Sequence, residues 1–299
     1  MSEVVAIFGP TGVGKTAVAV ELAELLRRRG EDPVAVSADA LQVYRGLETL
    51  TGVASAAERA RLEHRLVAFV DPAETFSVGE FMPLAHREID AALAAGRRPI
   101  VLGGTGLYLR AALTELSLAP QPPPELRERW QREIEARGPA ALHAELRERA
   151  PRAAATIEPT DRTRIVRSLE LLEMGEEPPR TEDSELWTAA TRRPTRLFGL
   201  VRERDDLYAR IDARVDAMVA AGAAAEVRRA AAAGVSRTAR KALGFEELLG
   251  GDVEAMKRRT RNYAKRQLTW MRKLADVDVV DVTGSEPAAV AARIAERLA

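Results

Sequence analysis

The stretch FGPTGVGKTAV, residues 8–18, decides the fold of this chain. Its glycine and lysine spacing matches G-x-x-x-x-G-K-[ST], the pattern of a loop that cradles phosphate groups. The β-branched run VVAIF (4–8) precedes the loop, and apolar residues at helical spacing follow it. In this context backbone N–H groups turn inward around a diphosphate, and the helix adds the positive end of its dipole. The predicted diphosphate-binding residues are Gly9, Pro10, Thr11, Gly12, Val13, Gly14, Lys15 and Thr16.

The last two residues of this loop act through their side chains. Lys15 supplies a mobile cation, and Thr16 can place its hydroxyl on Mg²⁺, which we expect as the cofactor. The motif does not indicate what the phosphate is attached to. A P-loop NTPase or kinase also needs a carboxylate for Mg²⁺ at the end of a buried strand. Asp39 and Asp71 both end predicted strands, so both positions stay open.

Strand-like and helical segments alternate along much of the chain. The predicted strands after the first are VAVS (34–37), RLVAFVDP (65–72), PIVL (99–102), TRLFGLV (195–201) and VDVVDV (277–282). Such alternation predicts an α/β fold of the P-loop class, a doubly wound parallel sheet with its ligand site at the carboxyl ends of the strands.

The alternation breaks in the middle of the chain. The proline-rich segment APQPPPELRERW (119–130) leads into charged helical sequence that contains no convincing strand before about residue 190. We therefore predict an α/β core of residues 1–114 and 194–299, with an all-helical domain inserted at 115–193.

The composition excludes several classes of protein. The chain has 299 residues and 45 basic and 45 acidic side chains, so it is not uniformly basic. The absence of cysteine excludes disulfides and cysteine-ligated metal sites. No apolar run reaches the roughly 18 residues of a membrane span, and the N-terminus lacks the pattern of a secretory signal. We expect a soluble cytoplasmic protein that does not enter the membrane.

Two segments at strand ends are candidates for chemistry. Asp39 opens DALQVYRG (39–46), a polar segment predicted to face the cleft, which favours a catalytic role for the carboxylate over a turn-forming one. The turn GGTGLYLRA (103–111) lets the backbone approach a ligand closely, and Thr105 offers a hydroxyl at the same edge of the sheet.

The segment KRRTRNYAKRQLTWMRK, residues 257–273, carries eight basic side chains and no acidic one. On a helix, Lys257, Arg261 and Lys265 share one face, while Arg266, Trp270 and Lys273 share another. Interleaved aromatic and amide groups favour contact with a nucleic-acid backbone together with base stacking. The segment DRTRIVRSLE (161–170) repeats this composition on a smaller scale. A small-molecule kinase needs neither feature.

Taken together, these segments resemble the tRNA dimethylallyltransferases, also called tRNA isopentenyltransferases. The matching segments follow the order of that family over nearly the whole chain. They are GPTGVGKT (9–16), SADALQVYRG (37–46), GGTGLYLRA (103–111), DRTRIVRSLE (161–170), LYARIDARVDAM (207–218), ALGFEEL (242–248) and YAKRQLTWMRK (263–273).

The resemblance implies a reaction and roles for individual residues. The loop would hold dimethylallyl diphosphate, whose five-carbon group passes to N6 of the adenosine 3′ to the anticodon. Asp39 would be the general base, Thr105 would lie beside the reacting centre, and Arg210 or Arg214 would help Lys15 and Thr16 to hold the diphosphate. The helical insertion would clamp the anticodon stem-loop, and a monomer is expected. The implied tRNA contacts are Asp39, Ala40, Leu41, Gln42, Asp161, Arg162, Thr163, Arg164, Ile165, Arg240, Lys241, Gly244, Phe245, Lys265, Arg266, Gln267, Trp270 and Arg272.

The chain departs from the family pattern at two places. Ala40 stands where the family usually has serine, which removes a hydroxyl next to Asp39. The segment TGVAS (51–55) stands where the family usually reads GTAKP, so the resemblance implies no substrate contacts there. Neither departure touches the phosphate loop, Asp39 or Thr105.

Three other functions are compatible with parts of the sequence. A P-loop kinase acting on a small metabolite would use Asp39 or Asp71 for Mg²⁺ and would turn over ATP without RNA. A prenyltransferase acting on free adenine nucleotides would not need the basic segment 257–273. An RNA-binding module without catalysis would keep all its function after substitution of Asp39.

Overall fold

The structure, a computed structural model, describes residues 3–178 and 185–298. Its centre is a parallel sheet of six strands in the order β3-β2-β4-β1-β5-β6. The strands are β1 (Val4–Phe8), β2 (Pro33–Ala38), β3 (His64–Arg65), β4 (Arg98–Gly103), β5 (Thr195–Val201) and β6 (Val277–Asp281). The predicted doubly wound parallel sheet is confirmed.

Strand β1 lies inside the sheet, between the parallel strands β4 and β5. All five of its side chains are buried, as the β-branched run predicts. Phe8 and Ala38, at the ends of β1 and β2, both pair in register with Gly103 at the end of β4. The three strands therefore end at one level, and the residues that follow them meet at one edge.

Thirteen helices are assigned within the described residues. The first five are α1 (Lys15–Arg28), α2 (Glu48–Thr51), α3 (Ala56–Arg61), α4 (Val78–Ala94) and α5 (Gly106–Leu113). The next three are α6 (Pro124–Arg149), α7 (Pro151–Ala154) and α8 (Arg162–Glu173). The last five are α9 (Arg204–Ala220), α10 (Ala223–Ala233), α11 (Phe245–Leu249), α12 (Val253–Met271) and α13 (Pro287–Arg297). In the part of the chain that the structure covers, none of these helices combines the length and the apolar character needed to cross a bilayer.

The main core lies between the sheet and the helices that cover it. Helix α1 packs against α13, and Leu22 and Leu26 of α1 share one buried cluster with Val290 and Ile294 of α13. Full burial of such a side chain contributes about 1.5–3 kcal/mol, so this apolar stripe holds α1, and with it the loop that precedes α1, against the sheet.

The chain divides into two compact units, Met1–Glu115 with Thr188–Ala299, and Leu116–Trp187. In the second unit the described residues form helices and contain no strand. Its core gathers apolar side chains of α6 and α8, among them Trp130, Leu142 and Leu169. Helix α6 is interrupted at Gly138, whose φ of 78° is not helical.

The second boundary falls at Trp187–Thr188 rather than at the predicted 193–194. The returning segment is already bound to the α/β core before β5 begins. Arg192 donates its backbone N–H to the carbonyl of Leu113 at 2.8 Å and forms an ion pair with Asp90 at 2.9 Å. The sequence is charged on both sides of this point, so its composition does not indicate the boundary.

The prediction of a third strand over 65–72 is wrong, because β3 has only two residues. Leu66 and Ala68 take left-handed φ values of 58° and 50°, which turn the chain out of the extended conformation. Phe69 and Val70 instead donate their N–H groups to the carbonyl of Val43 in an irregular pairing. A run of apolar residues predicts burial but does not by itself fix the backbone conformation.

Candidate active site

Three predicted segments meet at the carboxyl edge of the sheet. Since Phe8, Ala38 and Gly103 lie in register, the loop after β1, Asp39 after β2 and the glycine turn after β4 come together. They line a cavity of about 740 Å³, a volume typical of small-molecule sites.

The phosphate loop has the backbone conformation that its glycines predict. Gly12 and Gly14 take positive φ values of 81° and 107°, which side chains rarely tolerate. Gly14 directly precedes α1, so the amino end of that helix opens into the cavity. Unpaired N–H groups and the helix dipole therefore favour an anion at this point.

Lys15 lies in the floor of the cavity. Its Nζ donates to the carbonyl oxygens of Gly9 at 2.8 Å and Pro10 at 3.0 Å. Burial lowers the pKa of Lys15 to about 8, although the charge of Asp39 raises it, and the nearby Arg214 lowers it further. A partly buried lysine with this pKa is stabilised in its charged form by an anion that enters the cavity.

Arg210 and Arg214 lie one turn apart on α9, and both line the cavity. Arg210 donates Nε–H to the carbonyl of Gly12 in the phosphate loop at 3.3 Å. Arg214 donates to the carbonyl of Gly52 at 3.3 Å and acts electrostatically on Lys15. Both arginines thus stand beside the loop, and Arg214 is the one whose charge acts on Lys15.

The two carboxylate oxygens of Asp39 differ in their hydrogen bonds. Oδ1 accepts the backbone N–H groups of Leu41 at 2.9 Å and Gln42 at 3.3 Å, which fixes the turn after β2. Within the described residues, no hydrogen bond to Oδ2 is found. The turn-forming role and a chemical role of Asp39 are therefore compatible, because each uses a different oxygen.

The altered segment 51–55 forms part of the cavity wall. Gln42 donates Nε2–H to the carbonyl of Gly52 at 3.1 Å, and its Oε1 lies 3.1 Å from the hydroxyl of Ser37. The buried carboxylate of Glu226 accepts the N–H groups of Thr49 and Leu50 at 3.0 and 2.8 Å. Hydrogen bonds within the chain thus hold this wall in place. A contact of the Gln42 amide with tRNA would have to replace some of these hydrogen bonds.

Thr105 contacts a residue that the sequence suggested only as a stacking aromatic. Its Oγ1 lies 3.2 Å from the phenol oxygen of Tyr263, which projects from α12 into the cavity. Burial raises the pKa of Tyr263 to about 12, and the charge of Asp39 contributes to the increase. Tyr263 is therefore neutral at physiological pH and can donate a hydrogen bond to Thr105.

Gln267 does not lie on the predicted RNA surface. It is 5% exposed, and both ends of its amide bind groups within the protein. Oε1 accepts the N–H of Thr11, and Nε2 donates to the carbonyl of Gly104. The signal for this was the four-residue spacing from Tyr263, which puts both side chains on the inner side of α12.

The predicted basic surface of α12 is smaller than its sequence suggests. Four bases in its first half form ion pairs with acidic side chains. The pairs are Lys257 with Asp216 and Glu254, Arg258 with Asp252, Arg259 with Glu247, and Arg261 with Asp212. Lys265 and Arg266 in the second half, and Arg272 directly after the helix, are exposed and have no acidic partner among the described residues. We call these three residues the basic patch of α12.

Two of the predicted tRNA contacts have side chains that are not exposed. Ile165 and Phe245 are both fully buried, in the core of the helical unit and beside α12 respectively. The apolar side chains in those motifs serve packing. Their polar neighbours are different, because Arg162 and Arg164 are exposed at the start of α8, where Asp161 caps the helix by accepting the N–H of Arg164.

Other predicted contacts have partners within the chain. Arg240 forms an ion pair with Glu246 and lies over the ring of Phe245, 5.7 Å from its centroid. The indole of Trp270 packs on Gly106, where any side chain would overlap it. One face of that indole is therefore already covered.

The acidic groups of the cleft limit how a metal ion is held. The described residues include no cluster of three or more acidic or histidine side chains suited to a metal ion. Thr16 and Asp39 line the cavity, whereas Asp71 is exposed and accepts the N–H of Ala73 in a turn. Because Mg²⁺ is commonly bound by substrate phosphates, waters and one or two protein oxygens, these residues fit a diphosphate-bound ion.

Two family descriptions match the chain. The family described as IPP transferase matches residues 42–274, and the family described as isopentenyl transferase matches residues 2–70. Together they extend over most of the α/β core and the whole helical unit.

Individual relatives agree with these matches. A tRNA dimethylallyltransferase of Kineococcus radiotolerans is 41% identical and covers 98% of this chain and 96% of its own length. The full-length tRNA isopentenylpyrophosphate transferase of Bacillus halodurans is 33% identical, covers 100% and 96% of the two chains, and superposes with a TM-score of 0.71. A eukaryotic dimethylallyltransferase acting on tRNA is 25% identical, covers 95% and 75%, and has a TM-score of 0.72.

Proposed function

The chain belongs to the tRNA dimethylallyltransferase family and transfers a dimethylallyl group to tRNA, and we propose that its donor is dimethylallyl diphosphate and its acceptor the N6 amine of the adenosine 3′ to the anticodon. Diphosphate is the product that leaves the donor. The reaction needs no ATP, although the loop that binds the donor has the pattern of a nucleotide-binding loop.

One observation carries the proposal: a single cavity is lined by an anion-binding loop, by a carboxylate with a free oxygen and by apolar side chains. The apolar part includes Val53, Met218, Leu243 and Met256, which suit a five-carbon chain better than the polar base and ribose of a nucleotide. One chain supplies all of these groups, and we propose that the enzyme acts as a monomer.

Asp39 is the proposed general base. The lone pair of the adenine N6 amine is delocalised into the ring, so the amine attacks carbon readily only if its proton leaves as the new bond forms. Oδ2 of Asp39 can take this proton while Oδ1 keeps the turn in place. A positioned base of this kind contributes about 10²–10⁴-fold to the rate.

The cationic groups of the cavity would stabilise the leaving diphosphate. Lys15 and the amino end of α1 face the charge that develops as the carbon–oxygen bond breaks, and Arg210 and Arg214 complete the cationic wall. Thr16 would be the protein ligand of Mg²⁺, whose bound charge would neutralise part of the diphosphate. Thr105, whose Oγ1 lies 3.2 Å from the phenol oxygen of Tyr263, would stand beside the reacting centre.

The proposed contacts to tRNA are exposed side chains of both compact units. The basic patch of α12 and the exposed arginines at the start of α8 supply contacts to phosphates. Leu41 lines the cavity and Ala40 is the residue next to Asp39, so both lie close to where an unstacked adenine would enter. Taking a base from a single-stranded loop costs less unstacking energy than taking it from a duplex.

Transfer of label from dimethylallyl diphosphate to an isolated anticodon stem-loop tests the proposal. We expect a labelled stem-loop at a rate that ATP does not change. A matched stem-loop with purine in place of the target adenosine lacks the exocyclic amine and should stay unlabelled. Label on free adenine nucleotides but not on RNA, or ATP turnover without RNA, would contradict the proposal.

A further inference from the structure

The amide of Gln267 connects the phosphate loop with the glycine turn after β4. Its Oε1 accepts the N–H of Thr11 in the phosphate loop at 2.9 Å. Its Nε2 donates to the carbonyl of Gly104, the residue before Thr105, at 2.6 Å. Since Gln267 is only 5% exposed, water does not compete strongly for either bond.

The two loops and the amide are in direct contact. A Cβ atom at Gly104 would lie 2.5 Å from Nε2 of Gln267 and 3.4 Å from both the carbonyl oxygen of Gly9 and Nζ of Lys15. Only a glycine allows this approach. The amide and the nearby backbone atoms are therefore closely packed, and they fix the distance between the phosphate loop and the glycine turn.

The same helix also holds Thr105. Tyr263 lies one turn before Gln267, on the same side of α12, and its phenol oxygen is 3.2 Å from Oγ1 of Thr105. Helix α12 thus contacts the phosphate loop, the glycine turn and the threonine through two side chains. We call Tyr263 and Gln267 the brace of α12.

We propose that Gln267 is a positioning residue for the transfer, whose amide holds the phosphate loop and the Gly104–Thr105 turn at one fixed spacing. This inference rests on the proposed function, because a spacing between diphosphate and Thr105 matters only if the group passes between them. The amide does not titrate near neutral pH and cannot act as an acid or base, so it acts through the groups that it holds. Misplacement of reacting groups by about 1 Å can cost on the order of 10²-fold in rate.

The test is Gln267→Met, which keeps the length of the side chain and removes both hydrogen bonds. We expect the single-turnover transfer rate at saturating donor and tRNA to fall about 10-fold or more, while affinity for inorganic diphosphate and for tRNA stays within about two-fold. The matched control is Thr114→Val, which removes a buried hydrogen bond from Oγ1 to the carbonyl of Arg110 away from the cavity. It should lower the melting temperature and leave the transfer rate unchanged.

A second readout does not depend on transfer. Hydrogen exchange of the Thr11 amide should be faster in Gln267→Met than in the wild-type protein, because that N–H loses its acceptor. If Gln267→Met does not fold, Gln267→Glu keeps an acceptor for Thr11 and loses the donor to Gly104, and should still lower the transfer rate.

The outcomes separate the alternatives. An unchanged transfer rate together with unchanged exchange of Thr11 would overturn the inference. Weaker tRNA binding with a shallower salt dependence, at an unchanged rate, would instead make Gln267 an RNA contact. A wild-type protein that transfers no dimethylallyl group contradicts the proposed function, and in that case the exchange of Thr11 still decides whether the amide braces the loop.

Discussion

The lining of the cleft and the exposed side of α12 both carry charged groups, but they hold them in different ways. In the cleft, Lys15 and Asp39 are single charges that backbone groups hold in place. On α12 and the two residues after it there are eight basic side chains, and four of them form ion pairs with acidic side chains of nearby segments.

This difference predicts different responses to substitution. Each cleft charge has its own task in a site of low dielectric, so its loss changes the chemical step. A base on α12 acts as one of several solvated charges that salt screens, so its loss changes affinity by a small amount. The substitutions below test this contrast, beginning with the largest expected effect.

Asp39→Asn should have the largest effect. Asparagine keeps an oxygen that can accept the N–H groups of Leu41 and Gln42, so the turn should survive, but the base is lost. We expect the transfer rate to fall by about 10²-fold or more with tRNA affinity little changed. Single-turnover kinetics and tRNA titration measure the two quantities. Weaker tRNA binding at an unchanged rate would refute the base role.

Lys15→Met should lower kcat/KM for the donor by about 10²–10³-fold, because a preorganised partner of the leaving diphosphate is lost. Tight binding of tRNA should persist, since Lys15 is not among the proposed contacts to tRNA. Lys257→Met is the matched control, because Lys257 forms ion pairs on α12 outside the cavity. An equal fall of kcat/KM in the two variants would mean that the charge of Lys15 does not act specifically on the diphosphate.

The activity should depend on pH through Lys15. Because burial lowers the pKa of this lysine to about 8, the charged form that binds diphosphate dominates below pH 8 and is lost above it. We expect kcat/KM for the donor to fall about tenfold per unit at higher pH. The bound diphosphate raises the pKa, so kcat should hold to higher pH. A profile of kcat/KM that stays flat from pH 7 to pH 10 would exclude this role.

The smallest effects should come from the basic patch of α12. Lys265→Ala or Arg266→Ala should weaken tRNA binding and reduce its salt slope by about 1, as expected for one lost phosphate contact. Arg261→Ala is the matched control, since it breaks the ion pair with Asp212, which contributes no more than about 1 kcal/mol at such a partly exposed position. It should leave the salt slope unchanged. The same slope change in all three variants would contradict the division of α12 into two halves.

The parts of the fold that depend on local pattern were predicted well. The bounds of β5 and the start of α1 follow directly from β-branched runs and from the glycine loop. The third strand failed because two left-handed residues, Leu66 and Ala68, break a run of apolar character. Left-handed conformations at such residues depend on tertiary contacts, which a single sequence does not display.

The site divides in the same way. The phosphate loop could be predicted because its conformation depends on glycines within the loop itself. The neutralised bases could not, since the acids that pair with Arg261 and Arg259 come from α9 and α11. The resemblance implied that Gln267 contacts tRNA. The four-residue spacing from Tyr263 indicates that the two side chains share a face of α12, but only the structure shows that this face lies against the phosphate loop and the glycine turn. Whether the assigned base, threonine and arginines act as the resemblance implies stays a prediction.

Gly104 and Gly106 lie against Gln267 and Trp270, and neither glycine has room for a side chain. We therefore expect the glycine turn and the end of α12 to evolve together, although about 160 residues of sequence separate them. A lineage that gained a side chain at either glycine would have to replace its partner on the helix at the same time. Across many relatives, the pairs 104 with 267 and 106 with 270 should therefore change together or not at all.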